Sequence, residues 1–230
     1  MTGKHLIHWG LGALVVGTLA ACVGHKTQTP TPEATVPFPA GTLAGRDVGL
    51  LPFTLVLADD SLHWESQMAD RPRVLAAGDS ILLGFLTSRI PEVGWKAPAR
   101  LWRSARGAND LPDDPHQLGV AILRRLAVGS YVPDPLRAQL RTLGAVAGGS
   151  YVLAPASLFF KVDSTRRESG VPKGLPDGRG SRPNATAEVT LVLVDVRLGQ
   201  VSWRSVARGE GDDPWSALAH ALKTLTPGMP

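Results

Sequence analysis

The chain has 230 residues, 24 Lys and Arg against 20 Asp and Glu, a formal charge of +4 and one Cys. A lone Cys excludes an intrachain disulfide and argues against a Cys-based zinc site. The basic residues are scattered, the longest runs being the pairs Arg124-Arg125 and Arg166-Arg167. With neither a basic stripe nor a nucleic-acid-binding motif, nucleic acid is not expected as a partner.

The chain opens with Lys4 ahead of an apolar run, Gly10 to Ala21, that ends in small residues. A cationic start, a short apolar stretch and a small-residue cleavage site are the plan of a secretory signal peptide, here 1–21. The run is short of the ~20 residues that a membrane-spanning helix needs. Leu19-Ala20-Ala21-Cys22 resembles the bacterial lipobox, in which the Cys becomes the first mature residue and is diacylated on sulfur; an uncleaved anchor with a chance Cys is the alternative. Several acyl chains, at ~0.8 kcal/mol per buried methylene, would hold the protein stably on a membrane. Position two of that mature chain is Val23, not the Asp that retains lipoproteins at the inner membrane in enteric-type sorting. The expected location is therefore the periplasmic face of the outer membrane.

Residues 22–46 are rich in Pro and Thr, with Phe38 the one large aromatic. Such a segment buries too little surface to offset its ordering entropy and is expected to be an extended tether. At ~3.1 Å per residue it would reach ~75 Å. The remaining residues, 47–227, suffice for one domain with a sizeable core.

Asp-Pro recurs three times ahead of apolar stretches, at 114–115, 134–135 and 213–214. Asp is a preferred N-cap and Pro a preferred first helical residue. Three amphipathic helices are predicted, with stripes Leu118, Ile122, Leu126; then Leu136, Leu140, Leu143, Val146; then Leu218, Leu222, Leu225. Gly148-Gly149 supplies the stop of the second. Strands are predicted over 47–57, where Pro52 points to an edge or a bulge, over 150–160, and over 186–209 as a hairpin turning at 197–200. A Gly/Pro/Arg-rich loop, 163–186, is expected to be mobile. Interleaved strands and helices imply an α/β (α+β) domain, a mixed sheet of about five strands covered by amphipathic helices.

Three segments carry a resemblance. Val48-Gly49-Leu50-Leu51-Pro52-Phe53, Gly149-Ser150-Tyr151-Val152-Leu153-Ala154-Pro155-Ala156 and Leu193-Val194-Asp195-Val196-Arg197-Leu198-Gly199-Gln200-Val201-Ser202-Trp203 resemble the opening strand, middle strand and closing hairpin of CsgG-like, TolB N-terminal and LpoB-like periplasmic domains. Ser150 stands where that pattern carries an acidic residue. The resemblance implies a non-catalytic module that docks an envelope protein or forms a homo-oligomer. The long pore-forming hairpins of CsgG have no evident counterpart.

Gly78-Asp79-Ser80-Ile81-Leu82 resembles the nucleophile string of GDSL esterases, which makes Ser80 the candidate of a competing enzyme reading. That chemistry needs a base, normally the His of an Asp-x-x-His string near the C-terminus. His220 is suitably late in the chain, but Ala217 stands three residues before it. The Gly and Asn blocks of that family's oxyanion hole are also missing. The simpler expectation is that Asp79 or Ser80 caps a helix with the stripe Ile81, Phe85, Ile90, stopped at Pro91. His63, His116 and His220 share no metal-ligand spacing, and Asp59-Asp60 and Asp113-Asp114 read as turn and cap residues. No phosphate-binding loop occurs, and neither a catalytic residue nor a metal or cofactor is expected. Of five Trp residues past the tether, Trp64 and Trp102 are the candidates for partner binding, should either be exposed beside an apolar groove.

Overall fold

The Asp213 carboxylate accepts the N–H groups of Trp215 at 2.9 Å and Ser216 at 3.1 Å, while Asp213 N–H donates to the Ser216 hydroxyl at 3.4 Å. This capping box, with Pro214 in the first helical position, starts the last helix where the sequence places it. The structure, a computed structural model, describes residues 34–162 and 185–226. The signal segment, the Leu19-Ala20-Ala21-Cys22 motif and most of the 163–186 loop lie outside the described residues.

In chain order the elements are α1 (Ala40–Leu43), β1 (Asp47–Leu50), β2 (Val56–Ala58), α2 (Glu65–Met68), α3 (Arg71–Arg89), β3 (Gly94–Lys96), α4 (Pro98–Ser104), α5 (Leu136–Ala147), β4 (Tyr151–Val162), β5 (Ala185–Asp195), β6 (Gln200–Gly211) and α6 (Pro214–Lys223). They form a mixed α/β fold on a six-stranded sheet of order β3-β1-β4-β5-β6, with β2 also paired to β4. β1 pairs in parallel with β3 and with β4, and β2 in parallel with β4; β4, β5 and β6 form an antiparallel meander. The hairpin turn is fixed by Asp195, whose carboxylate accepts the N–H of Arg197 and of Leu198, and by Gly199 at φ 68°.

Pro52 divides the expected 47–57 strand. It cannot donate to a ladder, so the chain leaves the sheet after Leu51 and returns at Leu55. β1 pairs with the first half of β4, Gly49 opposite Val152, and β2 with the second half, Leu57 opposite Phe159. The first piece is not an edge, because β3 covers it; among the described residues the second is.

Each face of the sheet is covered. α3 and α6 bury one face over Leu153, Leu158, Val189, Leu191 and Trp203; α4, α5 and the 118–126 segment bury the other over Val152, Ala154, Val192 and Val194. α6 approaches β6 closely at Gly209, where a Cβ would overlap the backbone N of Ala221. Only a residue without a side chain fits there.

Two of the expected helices differ from the sequence reading. The 115–126 stretch forms two 3-10 turns, Pro115–Gln117 and Val120–Arg125, broken at Leu118 and Gly119. Its buried residues are Leu118, Val120 and Leu123, while Ile122 is 47% exposed, so the spacing of four is not the one used. Asp114 still caps, but a single turn. At 134–135 the peptide is cis and Pro135 stands at the N-cap, with Asp134 paired to Arg137 instead of capping α5. α5 otherwise follows its stripe and ends at Gly148 in the left-handed conformation, φ 76°.

Residues 34–46, placed in the tether by composition, are held against the fold. Phe38 is buried, packed edge-on against Trp203 at 5.2 Å and tilted against Trp95 at 5.9 Å. Thr35 Oγ1 donates to Val206 O, Val36 N–H to Ser205 Oγ, and Trp203 Nε1–H to Pro37 O. One aromatic anchor and these bonds outweigh the Pro/Thr bias of the segment.

Candidate functional site

The Gly78-Asp79-Ser80 string does not open a helix. α3 runs unbroken through it, capped by Asp70, whose carboxylate accepts the N–H of Arg73. The buried stripe is Val74, Leu75, Gly78, Leu82 and Leu86, continuing to Ile90; Ile81 and Phe85 are half-buried on its flank. The capping role expected of Asp79 or Ser80 is therefore corrected, because a stronger start signal, Asp70 ahead of Pro72, lies two turns upstream.

What the string does instead is receive the Pro52 excursion. Phe53 leaves the sheet with both backbone polar groups unpaired by strands, in the interior, where an unmet group is costly. Its N–H donates to Asp79 Oδ1 at 2.7 Å, and its carbonyl accepts from His116 Nδ1 at 2.8 Å. Its fully buried ring lies against Gly78, where a Cβ would stand 3.0 Å from Phe53 Cδ2. His116 is brought there by the 3-10 turn that Asp114 caps. Burial raises the Asp79 carboxyl to about 6; the Phe53 N–H and the charge of His116 oppose that shift.

Asp79, Ser80 and His116 line one open cavity of about 290 Å³, together with Pro52, Leu83 and Pro98. Proximity there does not make a nucleophile. Ser80 lies mid-helix, and its hydroxyl donates to Ala76 O at 2.8 Å, within its own helix. The one backbone N–H seen to serve the acid is that of Phe53, so it is not free to stabilise an oxyanion. His220 is exposed on α6 and its Nδ1 donates to Glu210 O; it does not line this cavity. His63 is exposed beside Glu65, 3.9 Å away. Among the described residues no group of three or more His, Cys, Asp or Glu could hold a metal ion.

The two Trp candidates lie over opposite faces of the sheet. Trp64 is 7% exposed and stacks edge-on against Phe160 at 5.5 Å. It forms the floor of an apolar groove of about 280 Å³ between the β2 edge and α3, with Val56, Leu57, Met68 and Leu75, and with Asp59, Asp60 and Glu65 at the rim. Leu57 on that edge is 53% exposed. Trp102 is half-buried against the other core, its indole N–H donating to Pro112 O. They cannot belong to a single surface.

Sequence reasoning missed the Asp79–Phe53–His116 clasp, whose partners are 26 and 63 residues apart. The only signal was Pro52, which announces a departure from the ladder without saying what receives it.

No family model and no curated protein matches the sequence. Among solved structures, the chain is similar to the LpoB C-terminal domain from Salmonella enterica, with 11% identity and a TM-score of 0.38 over 74% of this chain and 87% of that one. It is also similar to the PelC dodecamer from Paraburkholderia phytofirmans, with 15% identity and a TM-score of 0.39 over 84% and 91%. These superpositions are too loose to carry a function. The CsgG and TolB resemblances rest on the sequence alone. No helix among the described residues is long and apolar enough to cross a membrane.

Proposed function

We propose that the protein is a non-catalytic lipoprotein of the bacterial outer membrane, held at the periplasmic face by acyl chains on Cys22, whose α/β domain docks an envelope protein or a second copy of itself. The observation that carries the reading is Leu19-Ala20-Ala21-Cys22 at the end of a short apolar run, with that Cys the only one in the chain. In support, the motif most suggestive of catalysis has a structural occupation: Gly78 and Asp79 receive Phe53, and Ser80 bonds its own helix. The groove over Trp64 is the docking face on this reading. Its edge strand, β2, has a neighbour only on the β4 side among the described residues, so an extended partner segment can add alongside it.

A GDSL-like esterase using Ser80 is the second reading, favoured by one observation, the shared cavity of Asp79, Ser80 and His116. Two measurements decide. Palmitate incorporation into the full chain is expected, and its persistence in Cys22→Ser would reject the anchor. A fluorophosphonate probe is expected to leave the protein unlabelled; labelling that disappears in Ser80→Ala would establish the esterase.

A further inference from the structure

The clasp on Phe53 engages one polar atom of each side chain that makes it and leaves the other over. Asp79 accepts the Phe53 N–H through Oδ1, and no described residue is bonded to Oδ2. His116 holds the Phe53 carbonyl through Nδ1, and Nε2 likewise has no partner among the described residues. Neither atom is sealed inside the protein. Both residues are half-buried and line the open cavity of about 290 Å³, and neither Oδ2 nor Nε2 is buried without a partner.

The bonds already made fix what those spare atoms can do. A carbonyl oxygen only accepts, so His116 Nδ1 carries the ring proton and, in the neutral ring, Nε2 presents a lone pair. Ser80, exposed beside them, directs its O–H to Ala76 O and keeps its own lone pairs. Above about pH 6 the Asp79 carboxyl is ionised. The polar side chains of the lining thus present three acceptors and no donor, and Asp79 and His116 are its only titratable groups. The rest of the lining is apolar, chiefly Pro52, Leu83 and Pro98.

The geometry points to a binding site for an aliphatic primary ammonium group, its N–H donors shared among Asp79 Oδ2, His116 Nε2 and Ser80 Oγ and its carbon chain against Pro52, Leu83 and Pro98. An ammonium carries three donors and no acceptor, the complement of this lining. Its hydrogen bond to the half-buried carboxylate is charge-assisted, among the stronger kinds. Apolar walls around a few convergent polar groups are the usual build of a small-ligand site. An anion would instead meet the Asp79 charge. The ammonium comes either from a free amine or from a lysyl side chain, and the chemistry at the site is the same. Nothing in it depends on the acyl anchor at Cys22, on the Trp64 groove or on any reaction at Ser80.

The test uses the full chain in a neutral detergent at about pH 8, where an alkylamine is still protonated. Calorimetry follows n-butylammonium in one arm and Nα-acetyl-lysine N-methylamide in the other. Saturable one-to-one binding of either supports the site, and the tighter of the two assigns the source. Asp79→Asn keeps an oxygen for the Phe53 N–H and turns an N–H toward the ligand, so binding should weaken about tenfold or more. Asp113→Asn removes the same charge from an exposed carboxylate outside the cavity and should leave binding unchanged. The wild type gives a second readout that needs no variant. At about pH 5 only about one Asp79 in ten is ionised, and affinity should fall about tenfold. Tetramethylammonium, which has the charge without the N–H groups, should bind at least about tenfold more weakly than n-butylammonium. Absence of saturable binding in both arms, binding that Asp79→Asn or the drop in pH leaves unchanged, or equal binding of tetramethylammonium overturns the proposal.

Discussion

Asp79 and His116 clasp the same residue from opposite sides, one accepting the Phe53 N–H and the other donating to the Phe53 carbonyl. The polar groups that a reader of the sequence would assign to chemistry thus close the gap that Pro52 leaves in the sheet.

Burial holds the Asp79 carboxyl at about 6 against its ordinary 3.8. Between these values the folded protein keeps a proton that the unfolded chain has released, so this group's contribution to stability falls as pH rises through that window. In Asp79→Asn the amide oxygen still accepts the Phe53 N–H and no charge is buried. The variant should gain on the wild type between pH 4 and 7, by up to about 3 kcal/mol from the size of the shift. Urea unfolding of both proteins across that range measures it; a gap that does not change with pH would show that the carboxyl is not desolvated.

Two glycines of α3 should answer Ala substitution differently. Replacing a mid-helix Gly by Ala gains about 1 kcal/mol of helix propensity. Gly84 is exposed, with nothing within 4 Å of the added carbon, so Gly84→Ala should stabilise by about that amount. At Gly78 the same methyl presses on the fully buried Phe53 ring, and overpacking costs about 1–3 kcal/mol. Gly78→Ala should therefore be neutral to destabilising, and equal gains at both sites in thermal melts would contradict the Phe53 contact.

Gly209→Ala places a carbon against the backbone of α6 rather than against a movable side chain. A loss of about 3 kcal/mol or more is expected, at the upper end for overpacked sites. Denaturant titration reads it directly, and a loss below about 1 kcal/mol would mean that α6 does not seat on β6 in this way.

Phe38→Ala should cost about 3–5 kcal/mol, the range for a buried aromatic. A chain begun at Asp47 should lose at least as much relative to one begun at Glu33. Equal melting temperatures for those two truncations would restore the composition-based boundary of the domain.

Elements governed by neighbours in sequence were legible. The Asp213-Pro214 start, the Gly148 stop, the β4 run and the Asp195–Gly199 turn all depend on residues within a few positions of one another. The failures lie where distant contacts compete. Asp114-Pro115 carries the same cap chemistry as Asp213-Pro214, yet the segment behind it lies flat on the sheet and buries Leu118, Val120 and Leu123, so an α-helix does not form. Short strands such as β3, and the docking of Phe38, leave almost no periodic trace. At Gly78-Asp79-Ser80 the motif was visible and its purpose was not, because Phe53 and His116 reach it only through the folded chain.

The seating of Phe38 between Trp95 and Trp203 also sets a distance. With Thr35 already bonded to Val206, about a dozen residues separate Cys22 from the first fixed point, a span of ~45 Å even fully drawn out. On the proposed anchor at Cys22, a body leashed that closely would work in the layer next to its bilayer, and whatever it met would have to reside on that bilayer or come down to it.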